Sequence, residues 1–407
     1  MNKEIHIKQL SVLSGAAKYL PASKSISNRA LIINALSGGD SVLHNLSDAN
    51  DTQLMLRLLD SNEEVIDVED AGTTMRFLTA YFALTGKNKT LTGTKRMQER
   101  PIGILVDALR LLGCEIKYEK NDGYPPHTTL GFKGQLTEKI SIQGDISSQF
   151  ISALMMIAPT LPKGLIIELT GKIGSRPYIE MTAQLMRDFG AMCDFSDNVI
   201  TIKAKPYSKT ELSVESDWSA VSYWFAFTAL ADKAEISLPF LFKNSLQGDH
   251  VIQNIMLQLG VSSRMDGTTL LLSKSKSQKE ISWDFTHCPD LAQTVSVVCA
   301  ASGIKGHFTG LESLRIKETD RIAALQNELG KIGAELIEEG HQWTLIPATS
   351  LPASSNFETY HDHRMAMAFA PLATKMNITI QAPDVVRKSY PKFWEDMREI
   401  GFQLDLQ

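Results

Sequence analysis

Residues 105–116, LVDALRLLGCEI, form an amphipathic helix pattern that stops at Gly113 and gives way to a strand pattern. Glycine just past the end of a helix closes it in the left-handed conformation without a Cβ clash. The same ending recurs at intervals of 77, 70, 73 and 68 residues, in MTAQLMRDFGAMC (181–193), IQNIMLQLGVSS (252–263), LQNELGKIGAEL (325–336) and WEDMREIGFQL (394–404). This spacing predicts a chain built from structural repeats.

A second helix pattern, apolar on nearly every face, precedes these amphipathic helices. The segments of this kind are SKSISNRALIINAL (23–36), GTTMRFLTAYFAL (72–84), SSQFISALMMIAP (147–159), WSAVSYWFAFTAL (218–230), PDLAQTVSVVCAA (289–301) and DHRMAMAFAPLAT (362–374). A helix without a polar face is typically buried. Each repeat is therefore predicted to contain a strand, a buried helix, a strand, an amphipathic helix and a terminal hairpin.

Six such repeats predict an α/β protein of two similar domains, each built from three βαβαββ repeats around its buried helices. We expect one domain at residues 18–215 and the other, discontinuous, at residues 1–17 and 216–407. The N-terminus is expected to lend the leading strand of the fourth repeat. The first repeat is shortened, since only 47 positions separate Ser25 from Gly72, and it has almost no room for its terminal hairpin.

Composition narrows the functional class. The chain has 407 residues, 43% apolar and 21% charged, with a formal net charge of −5. This balance argues against general nucleic-acid binding. No apolar run reaches the ~18–20 residues of a membrane span, and residues 1–13 lack the pattern of a signal peptide. The four cysteines have no CxxC or metal-ligand spacing, which is typical of reduced, buried thiols in a cytoplasmic protein.

Cationic side chains gather where helices are expected to begin. They are Lys24, Arg29, Arg76, Arg100, Arg176, Lys317, Arg321, Arg364 and Lys388. The helix dipole disfavours a cation at this end, whereas helix starts combined with Arg and Lys bind phosphate and carboxylate groups. We therefore expect these starts to meet in one crevice that binds a multiply anionic ligand. Helix capping alone explains four other residues at helix starts, namely Thr52, Ser175, Asp217 and Asp249.

The segment RIKETDR (315–321) is the most densely charged of these helix starts. Lys317, Glu318 and Arg321 are expected to face the ligand, because cations recur at the same place in other repeats. A solvated helix start explains Arg315 and Asp320 equally well.

Eight segments, in order along the chain, resemble the signatures of the EPSP synthase family of enolpyruvyl transferases. They are PASKSISNRAL (21–31), DAGTTMRFL (70–78), QERPIGILVDALR (98–110), SSQFISALMM (147–156), SRPYIEMT (175–182), CPDLAQT (288–294), RIKETDR (315–321) and DHRMAMAFA (362–370). The resemblance implies two domains of three βαβαββ units, an N-terminal crossing between them and an active site in the interdomain cleft.

The resemblance also implies a reaction. The family transfers the enolpyruvyl group of phosphoenolpyruvate to the 5-hydroxyl of shikimate 3-phosphate and releases phosphate, by addition and elimination through a tetrahedral intermediate. This step belongs to the shikimate pathway to chorismate and the aromatic amino acids. No cofactor and no metal are expected, and the protein is expected to be a monomer.

Site residues follow from the same resemblance. Phosphoenolpyruvate is expected to contact Lys24, Gly72, Thr73, Arg100, Gln149, Arg321, Arg364 and Lys388. Shikimate 3-phosphate is expected to contact Lys24, Ser25, Arg29, Ser147, Ser148, Gln149, Ser175, Tyr178, Asp290, Ser313 and Lys317. Asp290 is the candidate base at the 5-hydroxyl, and Glu318 and Lys24 are both candidates for handling the proton at C3. His363 is expected to support its neighbours.

Two positions depart from the family pattern, since Asp70 and Ser313 stand where relatives commonly have Asn. At Ser313 the shorter side chain is expected to weaken one contact with shikimate 3-phosphate. Gly72 leaves room for a phosphonate such as glyphosate beside the phosphoenolpyruvate site, so sensitivity to glyphosate is expected.

Two other functions stay open at this point. The related transferase that acts on UDP-N-acetylglucosamine uses a loop cysteine, but residues 92–103, TGTKRMQERPIG, contain none, and Cys114 is expected to be structural. A non-catalytic anion-binding protein is the second alternative. Asp290 and Glu318 argue against it, because an anion receptor gains nothing from carboxylates beside its ligand.

Overall fold

The computed structural model describes residues 3–145 and 147–407. The chain divides into two compact units, of which one is Lys24–Val214 and the other combines Met1–Ser23 with Glu215–Gln407. We call these the central unit and the terminal unit.

The helices follow the sequence patterns closely. They are α1 (Lys24–Leu36), α2 (Asn50–Leu59), α3 (Gly72–Thr85), α4 (Lys95–Gln98), α5 (Gly103–Leu112), α6 (Ser148–Ile157), α7 (Arg176–Asp188), α8 (Trp218–Leu230), α9 (Ile252–Gln258), α10 (Ala292–Ser302), α11 (Arg321–Gly330), α12 (His363–Phe369) and α13 (Phe393–Ile400). Short 3₁₀ turns lie at Ala158–Thr160, Gly248–Val251, Phe285–His287, Pro289–Leu291, Glu312–Ile316, Ala370–Thr374 and Pro383–Lys388.

Three predicted buried segments contain a 3₁₀ turn, and in 147–159 that turn begins at Ala158. The segment 289–301 begins with the 3₁₀ turn Pro289–Leu291, and the segment 362–374 ends with the 3₁₀ turn Ala370–Thr374. Pro159 and Pro371 lie inside their segments and lack the N–H that an α-helix needs there, whereas Pro289 begins its segment, where that N–H is not needed.

The strands are β1 (Glu4–Ile7), β2 (Val12–Ala16), β3 (Val42–His44), β4 (Val65–Asp67), β5 (Lys89–Thr92), β6 (Cys114–Tyr118), β7 (His127–Phe132), β8 (Lys139–Gln143), β9 (Leu165–Thr170), β10 (Cys193–Ser196), β11 (Val199–Ile202), β12 (Glu211–Ser213), β13 (Lys233–Leu238), β14 (Leu259–Asp266), β15 (Thr269–Ser277), β16 (Glu280–Asp284), β17 (Lys305–Thr309), β18 (Glu335–Glu339), β19 (Gln342–Ile346), β20 (Ser354–Phe357), β21 (Asn377–Gln381) and β22 (Leu404–Leu406).

A single topology describes the four-stranded sheets. Among the described residues, five sheets have four strands and one has two. In a representative sheet, β8 is parallel to β9, β9 is antiparallel to β11, and β11 is antiparallel to β10. The connection from β8 to β9 runs through the buried helix α6, and α7 connects β9 to β10. This order is the predicted βαβαββ repeat.

The N-terminal strands complete two repeats of the terminal unit. β2 is parallel to β13, with Leu13 opposite Ala234. This pairing confirms the prediction that the N-terminus supplies the leading strand of the fourth repeat. β1 is antiparallel to both β21 and β22, with Ile5 opposite Ile380 and Leu406. This second crossing, in which β1 supplies the last strand of the sixth repeat, was not predicted.

The shortened first repeat has no terminal hairpin in the residues described between α2 and β4. Its strand β3 pairs in parallel with β12, Leu43 lying opposite Leu212. The leading strand of the first repeat therefore comes from the end of the central unit.

The buried helices form the centre of each unit. In the central unit α3 packs on α6 and both contact α1, and in the terminal unit α8, α10 and α12 contact one another. Every residue of α8 except Ser219 is buried. A fully buried large apolar side chain contributes about 1.5–3 kcal/mol, so these helices dominate the core of each unit.

The predicted helix endings are confirmed. All five repeat glycines, Gly113, Gly190, Gly260, Gly333 and Gly401, have φ between 79° and 115°. Gly113 and Gly401 are themselves the C-caps of α5 and α13.

The predicted helix starts are less accurate. Asp217 caps α8 by accepting the backbone N–H of Ala220 at 3.0 Å, as predicted. Capping was wrong for three other residues. Thr52 lies inside α2, Ser175 has a left-handed backbone with φ 51° and makes no cap bond, and Asp249 lies within a 3₁₀ turn. A side chain caps only when the backbone places it one residue before the first turn.

The four cysteines are unpaired and buried, as predicted. Burial raises the pKa of Cys114 to about 12, so it is an inert structural thiol. Within the described part of the chain, none of the helices has the length and apolar character needed to cross a membrane.

Candidate active site

In the central unit, contacts join the starts of four helices. Lys24 at the start of α1 pairs with Asp51 of α2, Nζ to Oδ2 at 3.0 Å. The Asp51 carbonyl accepts the Thr74 hydroxyl of α3 at 3.4 Å, and the Gln149 amide of α6 donates to the Thr73 hydroxyl at 3.1 Å. We call Lys24, Asp51, Gly72, Thr73, Arg100 and Gln149 the Lys24 cluster.

Gly72 is where the absence of a side chain has a direct effect in this cluster. A Cβ built on Gly72 would lie 2.8 and 2.9 Å from the two terminal nitrogens of Arg100. Arg100 is buried, so its guanidinium can pack against the backbone at the start of α3 only because residue 72 is glycine.

Arg76 holds Gly72 and the segment of Arg100 in place. It is buried and donates to the carbonyls of Gly72 at 3.2 Å and Pro101 at 2.9 Å. These bonds tie the start of α3 to the segment that carries Arg100. Although it is one of the predicted first-turn cations, Arg76 lies in the second turn of α3 and serves the protein backbone.

Arg29 contacts two other residues assigned to shikimate 3-phosphate, Ser25 and Tyr178. Its guanidinium donates to the Ser25 carbonyl at 3.0 Å and to the Thr182 hydroxyl at 2.7 Å, and it lies 5.8 Å from the centre of the Tyr178 ring. Burial lowers the pKa of Arg29 to about 10, yet the side chain stays charged at neutral pH.

The starts of α6 and α7 carry three of the assigned serines, Ser147, Ser148 and Ser175. Ser147 is the N-cap of α6 and accepts the Gln149 N–H at 3.4 Å, and Ser148 is buried. The left-handed backbone of Ser175 leaves its hydroxyl out of the cap of α7. Arg176 has ordinary surface partners, since it pairs with Glu180 at 2.7 Å and lies 4.3 Å from the Phe195 ring centre. The anionic ligand predicted for Arg176 is therefore not needed to explain it.

In the terminal unit, Arg321 binds three carboxylates. Its Nε and Nη2 donate to Asp362 at 2.7 and 3.3 Å, its Nη1 to Asp290 at 3.1 Å, and its Nη2 also to Glu318 at 2.9 Å. Arg321 and Asp362 are 2% and 0% exposed. Burial lowers the pKa of Arg321, but the carboxylates outweigh burial and raise that pKa above its ordinary value.

Asp290 is held between two guanidinium groups. Its Oδ2 lies 2.9 Å from Nη2 of Arg364, while its Oδ1 accepts from Arg321. Burial raises the pKa of Asp290, but the charges of Arg364, Lys317 and Arg321 prevail, so that pKa lies well below its usual range. The carboxylate is therefore ionised at neutral pH.

Glu318 lies between two cations, with Oε2 2.9 Å from Arg321 and Oε1 3.6 Å from Nζ of Lys388. We call Asp290, Lys317, Glu318, Arg321, Asp362, Arg364 and Lys388 the Arg321 cluster. Lys388 closes the 3₁₀ turn Pro383–Lys388 and lies five residues before α13, so the prediction that it begins a helix was wrong.

The rest of the RIKETDR segment is structural. Asp320 caps α11 by accepting from two backbone N–H groups and pairs with Arg315 at 3.1 Å. Glu312–Ile316 is a 3₁₀ turn in which Ser313 is exposed. The cap of α12 is Asp362, and the buried His363 lies beside it, Nδ1 to Oδ1 at 3.6 Å.

Sequence reasoning missed Asp51 and Asp362 as members of these clusters. Each stands in or next to a first turn, where an acidic residue is normal for a cap or for the helix dipole. Nothing in the sequence indicates which distant cation such a residue will meet. Among the described residues there is no group of three or more His, Cys, Asp or Glu side chains that could hold a metal ion.

Comparison with known proteins gives one family. The sequence profile of EPSP synthase (3-phosphoshikimate 1-carboxyvinyltransferase) matches residues 7–70 and 57–397. A 3-phosphoshikimate 1-carboxyvinyltransferase of Bacteroides fragilis (strain YCH46) is 50% identical over 393 residues, 94% of each chain. One of Shewanella sediminis is 35% identical over 429 residues, which cover 98% of this chain and 100% of the relative.

The fold has solved counterparts. An EPSP synthase structure from Acinetobacter baumannii superposes over 100% of both chains with a TM-score of 0.77 and 19% sequence identity. A second structure from that organism covers 99% of both chains with a TM-score of 0.78 and 18% identity. At these identities the likeness establishes the fold.

Proposed function

This chain belongs to the EPSP synthase family, and we propose that residues of its Lys24 and Arg321 clusters carry out the family reaction. The enolpyruvyl group of phosphoenolpyruvate is transferred to the 5-hydroxyl of shikimate 3-phosphate, and phosphate is released. The observation that supports these roles best is Asp290, a carboxylate 3.1 and 2.9 Å from two arginines.

Phosphoenolpyruvate carries a carboxylate and a phosphate, which the cations of both clusters suit. We assign its binding to Lys24, Gly72, Thr73, Arg100, Gln149, Arg321, Arg364 and Lys388. The hydrogen bonds of Arg321 to protein use four of its five N–H groups within the described residues. Its main effect is therefore to orient Asp290 and Glu318 and to supply positive potential, with one N–H left for the ligand.

Shikimate 3-phosphate brings a second phosphate, a second carboxylate and hydroxyl groups. We assign its binding to Lys24, Ser25, Arg29, Ser147, Ser148, Gln149, Ser175, Tyr178, Asp290, Ser313 and Lys317. The Ser175 hydroxyl supports this role, because its backbone conformation keeps it from capping α7. Strained backbone of this kind is concentrated at functional sites.

Asp290 acts as the base at the 5-hydroxyl. In the addition step the C2–O5 bond forms, Asp290 takes the hydroxyl proton and C3 of the enolpyruvyl group gains a proton. Asp290 is ionised but weakly basic while both arginines neutralise it. Anions bound to Arg364 weaken that neutralisation and make the carboxylate a better proton acceptor.

In the elimination step the C2–O bond to phosphate breaks and C3 loses a proton, which restores the double bond. Glu318 and Lys24 both suit the proton transfers at C3. Glu318 is held by Arg321 and Lys388, and Lys24 is paired with Asp51. Developing negative charge is stabilised by cations that are already in place, which is the most effective form of electrostatic catalysis.

Phosphate release tests the assignment. The protein is mixed with phosphoenolpyruvate and either shikimate 3-phosphate or UDP-N-acetylglucosamine, and turnover is expected with the first alone. Asp290→Asn is expected to lower kcat roughly 10²–10⁴-fold, whereas the exposed control Asp266→Asn retains full activity. Phosphate release with UDP-N-acetylglucosamine, or no release with either acceptor, overturns the proposed substrate. An unchanged kcat in Asp290→Asn overturns its role as base.

We also propose that the enzyme is a cytoplasmic monomer. The unpaired, buried cysteines suit a reducing compartment. Light scattering at working concentration tests the monomer, and a mass of twice the 45.0 kDa chain would refute it.

A further inference from the structure

Asp249 is a buried carboxyl group that has no part in the mechanism above. It lies in the 3₁₀ turn Gly248–Val251 and is 3% exposed. Its Oδ2 accepts the hydroxyl proton of Ser219, while its Oδ1 has no hydrogen-bond partner among the described residues. A buried carboxylate normally has partners for both oxygens, because leaving one without a partner is costly. This arrangement therefore favours the protonated, neutral acid.

Ser219 connects this carboxyl group to the Arg321 cluster. Nη2 of Arg364 donates to the Ser219 oxygen at 3.4 Å and lies 2.9 Å from Oδ2 of Asp290. A hydroxyl group has one proton. When Ser219 gives that proton to Asp249, its lone pairs are left to accept from Arg364, so Asp249 acts on Arg364 through one hydroxyl group.

The surroundings of Asp249 make its charge sensitive to pH. Burial and the negative charge of Asp290 raise the pKa of Asp249 to about 7, against the opposing effect of Arg364 and the Ser219 hydroxyl. Asp217 adds to the rise. The other titratable groups nearby are Cys288, whose own high pKa is partly due to Asp249, and His250 on the same turn.

We propose that Asp249 is a positioning residue for phosphoenolpyruvate. The proton on the Asp249 carboxyl group sets how strongly Arg364 attracts the anionic substrate. This inference rests on the proposed function, since it assumes that Arg364 holds that substrate. The cations Lys317, Arg321, Arg364 and Lys388 face the carboxylates Asp290, Glu318 and Asp362. The sum of charges is 4 − 3 = +1 with Asp249 neutral and 0 with Asp249 ionised.

The direction of the effect follows from linkage. An anion binds better to the protein with Asp249 protonated, and a bound anion in turn makes that proton harder to remove. Affinity is therefore high below pH 7 and falls as the pH rises through about 7. The fall ends above the pKa that Asp249 has in the complex.

KM for phosphoenolpyruvate at saturating shikimate 3-phosphate, measured from pH 6 to pH 9, tests the proposal. The variants are Asp249→Asn, which is neutral at every pH, and Asp266→Asn, a control at an exposed position that does not act on Asp249. Titration of the substrate phosphate affects the wild type and the variants equally, so it cancels in the ratio of their KM values. The ratio of wild-type KM to Asp249→Asn KM is expected to rise from about 1 to roughly three- to tenfold, while the control follows the wild type and kcat changes less than KM.

The outcomes separate the two proposals. Turnover with parallel KM profiles for the wild type and Asp249→Asn overturns this inference alone, whereas no turnover in the wild type overturns the proposed function and the inference with it. Ser219→Ala serves if Asp249→Asn does not fold. Loss of the hydroxyl removes the link through which Asp249 acts on Arg364, so the rise in KM is expected to shrink or disappear. A rise of unchanged size overturns the inference.

Discussion

Replacement of Asp362 tests whether the buried charges of the Arg321 cluster stabilise the terminal unit as a connected set. Asp362→Ala removes two hydrogen bonds to Arg321, at 2.7 and 3.3 Å, and the cap bond to the N–H of Arg364 at 2.8 Å. Breaking a buried ion pair on one side costs about 3–5 kcal/mol, and loss of a cap costs about 1 kcal/mol. Because Arg321 keeps Asp290 and Glu318, we expect a loss of about 4 kcal/mol.

Asp362→Asn separates charge from shape. The amide oxygen can still cap α12 and accept one bond from Arg321, but the negative charge is gone. We expect this variant to lose about 2 kcal/mol, near the value for one hydrogen bond to a charged group. Asp384→Ala is the matched control, since the exposed pair of Asp384 with Lys3 at 3.2 Å should contribute less than about 1 kcal/mol.

The assay uses the distribution of tryptophan. All five tryptophans, Trp218, Trp224, Trp283, Trp343 and Trp394, belong to the terminal unit. Fluorescence during urea unfolding of the whole chain therefore reports that unit, even if the central unit unfolds separately. Equal losses for Asp362→Ala and Asp362→Asn would refute the cap contribution. A loss below about 1 kcal/mol in Asp362→Ala would refute the claim that Arg321 depends on this partner.

Three further predictions follow from the geometry. Gly72→Ala places a Cβ 2.8 Å from Arg100. As the guanidinium group shifts, KM for phosphoenolpyruvate should rise roughly tenfold and inhibition by glyphosate should weaken. Unchanged inhibition by glyphosate would contradict this prediction. Arg29→Lys cannot reproduce the bonds to Thr182 and Ser152 and should cost the central unit about 2 kcal/mol in unfolding followed by far-UV circular dichroism. Burial raises the pKa of Asp396 to about 6, whereas the unfolded carboxyl titrates near 4. The folded state therefore binds more protons between these two pKa values. The stability of the wild-type terminal unit relative to Asp396→Asn should fall by up to about 3 kcal/mol from pH 4 to pH 6. A stability difference that does not change with pH would contradict the raised pKa of Asp396.

The cations of the Arg321 cluster are largely neutralised before any ligand binds. Asp290 and Glu318 each contact Arg321 and one further cation, Arg364 or Lys388. This pairing limits the repulsion among buried like charges. It also means that the groups assigned to proton transfer are oriented by the groups assigned to anion binding, so a change in one set is expected to alter the other.

Local sequence patterns were enough to predict the repeat and most of its elements. The five glycines that end the amphipathic helices could be placed, because a left-handed residue has a strong local preference for glycine. The buried helices were equally clear, since α8 has no polar face. The loan of β2 to the fourth repeat was also predicted, because that repeat otherwise lacked a leading strand.

The pairing of residues that are distant in sequence could be read from the folded chain alone. That β1 closes the sixth repeat depends on strand pairing across more than 370 positions, Ile5 with Ile380, for which no local signal exists. The ion pairs of Asp51 and Asp362 could not be predicted either. A carboxylate at a helix start has the same local sequence pattern whether it caps the helix, interacts with the helix dipole or neutralises a remote cation. Local preferences act over a few residues, whereas charge pairing and strand pairing depend on distances that only the folded chain sets.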